Sequence, residues 1–278
     1  MGGVATTRET ANAATPSQLS PAIHAESLSK RFTVKGKPFT ALENVDLTVH
    51  EGEFCSLIGP SGCGKSTLLR LLADISPPTG GTVSVFGASP SEARQRRDFG
   101  FVFQDPTLLP WRSALANTEL PLQLAGWDRR RRREKAMQLL HLVGLEGFEH
   151  ALPDALSGGM ARRVAIARAL TLDPKILFLD EPFAGLDEIL RQQMNEELQR
   201  IWIETGTTAV FVTHNVAEAV FLSDHVFVMG GRPGKILGVT SVPLERPRTV
   251  SRILDPDFVE IQREVSTQLA AAVKEFQT

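Results

Sequence analysis

The sequence predicts an α/β protein with a mostly parallel sheet, preceded by antiparallel strands and interrupted by a helical insertion. Three observations carry that prediction. Residues 59–67 read G-P-S-G-C-G-K-S-T and lie between the apolar run Phe54–Ile58 and the periodic Leu68, Leu69, Leu71 and Leu72, the pattern of a strand, a glycine-rich turn and a helix start. A second short apolar run, residues 176–179, ends in the acids Asp180 and Glu181. Between the two, residues 113 to about 170 change to a helical period, with Ala136, Leu139, Leu140 and Val143 on one face.

The elements follow in order. Residues 1–21 are rich in Ala, Thr, Ser and Asn without periodicity and are expected to form a flexible tail. Residues 23–32 and 40–50 alternate apolar and polar side chains, as antiparallel strands do, around a turn at residues 36–38. Phe32, just before that turn, has two readings, a ring stacked on adenine or a half-buried strand residue.

The 59–67 stretch carries the chemistry. Gly59, Gly62 and Gly64 allow a tight turn that points N–H groups inward, and the helix beginning near Lys65 adds its positive end. Pro60, Ser61 and Cys63 complete a cradle for a polyphosphate. Lys65 supplies charge to the β and γ phosphates, the Ser66 hydroxyl is placed for a bridging magnesium ion, and Thr67 for the α phosphate.

After a turn at residues 77–81, short strands are expected at 82–86 and 99–103, the second followed by Gln104. A glutamine there reaches a metal ion or attacking water, or else satisfies loop backbone. Five consecutive arginines, 129–133, lie between Asp128 and Glu134. Consecutive helical residues point all around the axis, so a solvated helix start is expected rather than an anion site. Residues 175–180 form a buried strand, and ligands bind at the carboxyl ends of parallel strands. Asp180 is therefore placed to hold magnesium and Glu181 to face the γ phosphate. A helix at 188–204 and a strand at 207–213 lead to His214, and a lone histidine there is ordinarily structural. Beyond about residue 242 come several prolines and a helix over 258–276 without catalytic or metal signature.

Composition bounds the function. With 278 residues, 42% apolar and 22% charged, the chain suits one large core or a core with an inserted subdomain. No apolar run reaches a membrane span and no signal-peptide pattern opens the chain, so a cytosolic protein is expected. A net charge of -2 argues against a dedicated nucleic-acid binder. Cys55 and Cys63 lack metal-ligand spacing and read as packing residues.

One further stretch completes a pattern. Leu156-Ser157-Gly158-Gly159-Met160, followed by A-R-R-V-A-I-A-R-A-L over residues 161–170, closely resembles the signature motif of ABC ATPases. With 59–67 as Walker A, Gln104 as the Q-loop, 176–181 as Walker B, 184–187 as the D-loop and His214 as the switch histidine, every motif stands in family order. The resemblance covers about residues 23–239, and their joint occurrence is far more specific than any single motif. It reverses the plain readings of Gln104 and His214. Met160, the run Phe103-Gln104-Asp105-Pro106 to Leu109-Pro110-Trp111, and Arg232-Pro233-Gly234 are similar to the ATP-binding subunits of nitrate, sulfonate and taurine importers. Three positions depart: Asp74 for a usual glycine, Ala184-Gly185 for Gly-Ala, and Arg162 for a frequent glutamine.

The resemblance implies a P-loop NTPase, an ABC-type nucleotide-binding domain over residues 22–241. This would comprise an antiparallel β subdomain, an α-helical subdomain at about 105–170, and a helical extension over 242–278. It implies ATP and Mg2+ as cofactors and two chains sandwiching two nucleotides, with Ser157, Gly158 and Gly159 closing over the γ phosphate held by the other chain. Glu181 would activate water, His214 contact the γ phosphate, Gln104 sense metal and water, and Asp187 join the two sites. The implied partners are a membrane permease, docked at residues 103–111, and indirectly a solute-binding protein, with the chain at the cytoplasmic face of the cell membrane. Two other classes fit parts of the pattern. A soluble ABC ATPase serving as an assembly scaffold shares every motif, whereas a small-molecule kinase shares Walker A and has no use for residues 156–160.

Overall fold

The computed structural model describes residues 20–277. The tail expected over residues 1–21 lies outside them except for Ser20 and Pro21, and Pro21 already opens a strand. β1 (Pro21–Val34) and β2 (Lys37–His50) form an antiparallel hairpin, and β4 (Gly80–Val85) pairs with the other edge of β1. Lys35 and Gly36 turn the hairpin, both at positive φ (49° and 76°), which matches the right-handed twist of the strands. The hairpin runs beyond its apolar alternation because residues 31–39 are exposed, and with solvent on both faces no periodicity marks the strand.

A second sheet holds β3 (Phe54–Ile58), β5 (Phe99–Val102), β6 (Ile176–Asp180), β7 (Thr208–Thr213), β8 (His225–Gly230) and β9 (Lys235–Ser241), in the order β5-β6-β7-β3-β8-β9. Its pairs are parallel except β8 with β9. The central strands are buried throughout and mostly apolar because both faces are covered. Phe54, Ile58, Leu177, Leu179, Ala209 and Phe211 face one core, while Cys55, Leu57, Ile176, Phe178, Val210 and Val212 face the other.

α1 (Lys65–Leu72) follows the glycine-rich loop, and α2 (Pro90–Gln95) begins in a capping box between Ser89 and Glu92. The helical insertion contains α3 (Ala114–Leu124), α4 (Arg129–Leu142) and α5 (Gly158–Leu170). The arginine run opens α4, as expected, with Asp128 accepting from the Arg130 and Arg131 N–H groups at 3.1 and 3.0 Å. α6 (Glu188–Thr205), α7 (Val216–Leu222) and α8 (Pro256–Gln277) complete the chain.

The segment beyond residue 241 packs into the main core through Val242, Leu244, Phe258, Val265 and Ala272. Arg248, 1% exposed, anchors it by donating to the carbonyl oxygens of Val220, Phe221, Ser223, Val242 and Leu244. Burial, then repulsion from Arg246, pulls its guanidinium down to about 9, so it stays a cation at neutral pH and every donor remains available. Among the described residues no helix is long and apolar enough to cross a membrane.

Candidate active site

The glycine-rich loop leaves β3 at Gly59 and enters α1 at Lys65. Gly64 has φ +104°, and a Cβ there would lie 2.6 Å from Leu42 Cδ2, so the loop reaches its helix only through glycine. Its floor comes from far along the chain. Gly234 N donates to Ala41 O at 3.0 Å, Gly234 O accepts from Glu43 N at 3.2 Å, and a Cβ on Gly234 would fall 1.9 Å from Cys63 O. Cys63 turns its side chain into the core and donates its N–H to Pro60 O at 3.3 Å, so it shapes the loop. Lys65 Nζ spans it, donating to Gly59 O at 2.8 Å and Pro60 O at 3.0 Å.

Beside the loop, Ser66 Oγ donates to Asp180 Oδ1 at 2.7 Å. Burial pushes the Asp180 carboxyl above its ordinary range, against the opposing pull of the Ser66 hydroxyl and Arg70, 3.9 Å away. An alcohol and a carboxylate, both hard oxygen donors beside a phosphate cradle, fit Mg2+, which takes one or two protein oxygens and keeps several waters. Glu181 follows at φ +45°, a left-handed conformation unusual for a long side chain, with its N–H on Val212 O at 3.0 Å. This turn brings Glu181 Oε2 to 3.2 Å from His214 Nδ1 at the end of β7.

A cleft of about 360 Å³ gathers Phe32, Phe39, Ala41, Ser61, Gly62, Gly64, Lys65, Ser66, Thr67, Gln104 and Glu181. Phe32 is paired in register with Phe39, so two rings from the hairpin border the cleft. Sequence reasoning missed Phe39, although an aromatic across a short turn from Phe32 was a legible signal.

Ser157, Gly158, Gly159 and Asp187 lie outside that cleft. Ser157 caps α5, its Oγ accepting from Met160 N at 3.2 Å, and Asp187 caps α6, accepting from Leu190 N at 3.0 Å. Arginines tie these loops to the segment after Glu181 and to α7. Arg162 Nη2 donates to Ala184 O. Arg191 Nη2 donates to Leu186 O at 2.8 Å, and its Nε lies 3.3 Å from Glu218 Oε1 on α7. Burial pushes Glu218 up, and Thr213, next to His214, donates its hydroxyl to it. Arg162 was visible in the sequence only as a departure, and Arg191 carried no local signal.

The loop after Gln104 borders an apolar groove of about 350 Å³ between β5 and the insertion, lined by Phe99, Phe101, Phe103, Leu120, Leu124 and Arg168 among others. Arg168 fixes the loop by donating to Pro106 O at 2.7 Å and Thr107 O at 3.0 Å. Trp111, beyond it, is 73% exposed.

Comparison with known proteins gives this architecture a family. The family model described as ABC transporter matches residues 42–184. An uncharacterized ABC transporter ATP-binding protein of Methanocaldococcus jannaschii is 46% identical over 240 residues, 86% of this chain and 88% of that protein. The nitrate import ATP-binding protein NrtD of Synechococcus elongatus is 42% identical over 246 residues, covering 87% and 89% of the two chains. The taurine import ATP-binding protein TauB of Yersinia pestis is 45% identical over 203 residues, covering 73% and 78%. Among solved structures, a dimeric ATP-binding cassette in a post-hydrolysis state with ADP and Pi superposes with a TM-score of 0.72 at 32% identity, over 80% of this chain and all of that one. CbiO1 from Clostridium perfringens, part of an ABC transporter complex, gives 0.73 at 25% identity, over 90% and 96%. The phosphate loop, the acid pair ending β6, the histidine ending β7 and the capped signature helix thus belong to an ATP-hydrolysing, ATP-binding protein of the ABC transporter family.

Proposed function

We propose that this chain is the ATPase subunit of a bacterial importer for a small anion or organic solute of the nitrate, sulfonate or taurine kind, working as an ATP-sandwich dimer at the cytoplasmic face of the membrane. The observation that carries the reading is the division of the motifs. One cleft gathers the phosphate loop, Gln104 and Glu181, whereas Ser157, Gly158, Gly159 and Asp187 are not among its lining residues. A site completed by a second copy accounts for that division, and the dimeric post-hydrolysis relative supports it.

Within one half-site, Phe32 and Phe39 receive the base, and Gly59 to Thr67 wrap the phosphates with backbone N–H groups. Lys65 moves its ammonium from the loop carbonyls to the β and γ oxygens. Ser66, Asp180 and Gln104 would hold Mg2+, which neutralises phosphate charge when bound. Glu181 takes the proton of the attacking water, a role worth about 10²- to 10⁴-fold for a positioned base, with His214 beside it on the γ phosphate. Ser157 and the α5 N-terminus of the other chain cover that phosphate, and Asp187 follows the closure.

Transport needs a route from this cycle to a membrane partner. The groove at Phe103 and the exposed Trp111 beside Gln104 support docking of a permease segment there. The solute is read by the permease and by an external binding protein, so NrtD and TauB supply only the class of cargo.

The test is affinity copurification of the tagged chain from detergent-solubilised membranes, with mass spectrometry of what stays bound. A multi-span permease is the expected partner. Soluble partners alone would leave the ATPase standing and move the function to an assembly scaffold.

A further inference from the structure

A second convergence of donor atoms lies at the end of the parallel sheet opposite the phosphate loop. Cys55 on β3 and His225 on β8 are register partners on adjacent strands, and Glu53 immediately precedes β3. One ligand atom from each of these residues lies within 4.8 Å of the other two. Cys55 Sγ is 3.8 Å from Glu53 Oε2, and His225 Nδ1 is 3.5 Å from Glu53 Oε1. Nitrogen, oxygen and sulfur ligands on a tetrahedral zinc ion are about 3.3–3.6 Å apart, given bonds of about 2.0–2.3 Å. The thiol and the imidazole approach different oxygens of the Glu53 carboxylate, and one donor from each residue lies within 4.8 Å of the others, so a bound cation would draw the three together by up to ~1.5 Å.

The surroundings also suit a metal. His50 Nδ1 lies 3.2 Å from Glu53 Oε1 and the His50 backbone N–H donates to Oε2 at 2.8 Å, so the carboxylate is oriented from outside the donor set, as second partners orient ligands in metal centres. The Cys55 side chain is buried, while His225 and Glu53 keep 34% and 13% exposure, leaving an entry path on the imidazole side. Asp224, beside His225, accepts from the Phe54 N–H at 2.8 Å, so a second carboxylate stands next to the cluster.

We propose that Glu53, Cys55 and His225 bind one divalent transition cation of the zinc class, with water in the fourth position and His50 orienting the carboxylate. As the metal–sulfur bond forms, Cys55 releases its proton to solvent and no oxidation state changes. Thiolate and imidazole select this class over Mg2+, which requires oxygen donors, so the centre is chemically separate from the oxygen site at Ser66 and Asp180. It clamps the beginnings of β3 and β8, and its binding energy adds to the stability of the folded sheet.

The test is anaerobic Co2+ titration of the full-length, nucleotide-free chain followed by absorbance, then displacement by Zn2+. One Co2+ per chain with a near-ultraviolet thiolate-to-cobalt band is expected, abolished in Cys55→Ser and retained in Cys63→Ser. His225→Gln, at a half-exposed position that spares the core, should weaken Zn2+ binding by at least about 10-fold, the lower end of what even outer-shell losses cost. Absence of the band in the wild type, its persistence in Cys55→Ser, or unchanged Zn2+ affinity in His225→Gln would each reduce the cluster to ion pairs and overturn the proposal.

Discussion

In the proposed mechanism Lys65 and Glu181 would make opposite demands on the same phosphate, one by binding it and one by opening it to water. Lys65→Ala is expected to abolish hydrolysis in a phosphate-release assay, because among the described residues no other ammonium lines the cleft. Glu181→Gln should keep ATP binding, lower turnover by about 10²- to 10⁴-fold and accumulate an ATP-bound dimer in size-exclusion chromatography. Gly234 makes a subtler claim. It lines no part of the cleft, yet Gly234→Ala would drive a Cβ into Cys63 O, a main-chain collision that neither side can relieve by rotating a side chain. Nucleotide affinity, read by calorimetry, should fall in that variant. Two of the departures from the family pattern, Asp74 and Arg162, make specific side-chain contacts. Asp74 takes φ +54°, a conformation aspartate tolerates better than most residues, and pairs with Arg94 at 2.8 Å. Arg162 and Ala184, two departures far apart in sequence, are hydrogen-bonded to each other.

Elements were legible where burial is one-sided or complete. The apolar runs of β3 and β6 and the helical period of the insertion are visible because packing imposes them. The tip of the β1–β2 hairpin was not, since solvent on both faces leaves no alternation. α2 was overlooked despite its local capping-box pattern, Ser89-Pro90-Ser91-Glu92. Of the candidate site, residues such as Lys65, Ser66, Gln104, Glu181 and His214 could be named because each lies in a local pattern, while the arginine ties between their loops could not, because a hydrogen bond to a distant carbonyl leaves no periodic trace. The segment after residue 241, read as a helical extension, packs into the main core, and Arg248 ties it there. Arg248→Leu would strip donors from five carbonyl groups. At about 1–3 kcal/mol for a buried polar group left unpaired, and with some carbonyls finding water, a loss of at least about 3 kcal/mol is expected in urea unfolding.

At the scale of the molecule, the placement of Ser157 and Asp187 outside the cleft would make dimerisation part of the proposed chemistry. Mixing Lys65→Ala chains with Ser157→Arg chains should give dimers with at most one competent site, so phosphate release in the mixture should stay below that of the wild type. Full activity would contradict a site shared between chains. The floor under the phosphate loop carries a consequence for the order of synthesis. Residues 59–67 emerge from the ribosome early, but Gly234, which seats against Cys63 and Ala41, is made only after the whole helical insertion and four more strands of the parallel sheet. Until then the loop lacks its support, so a nascent chain gains its ATP pocket late, and nucleotide binding during translation would report that β8 and the turn after it have docked.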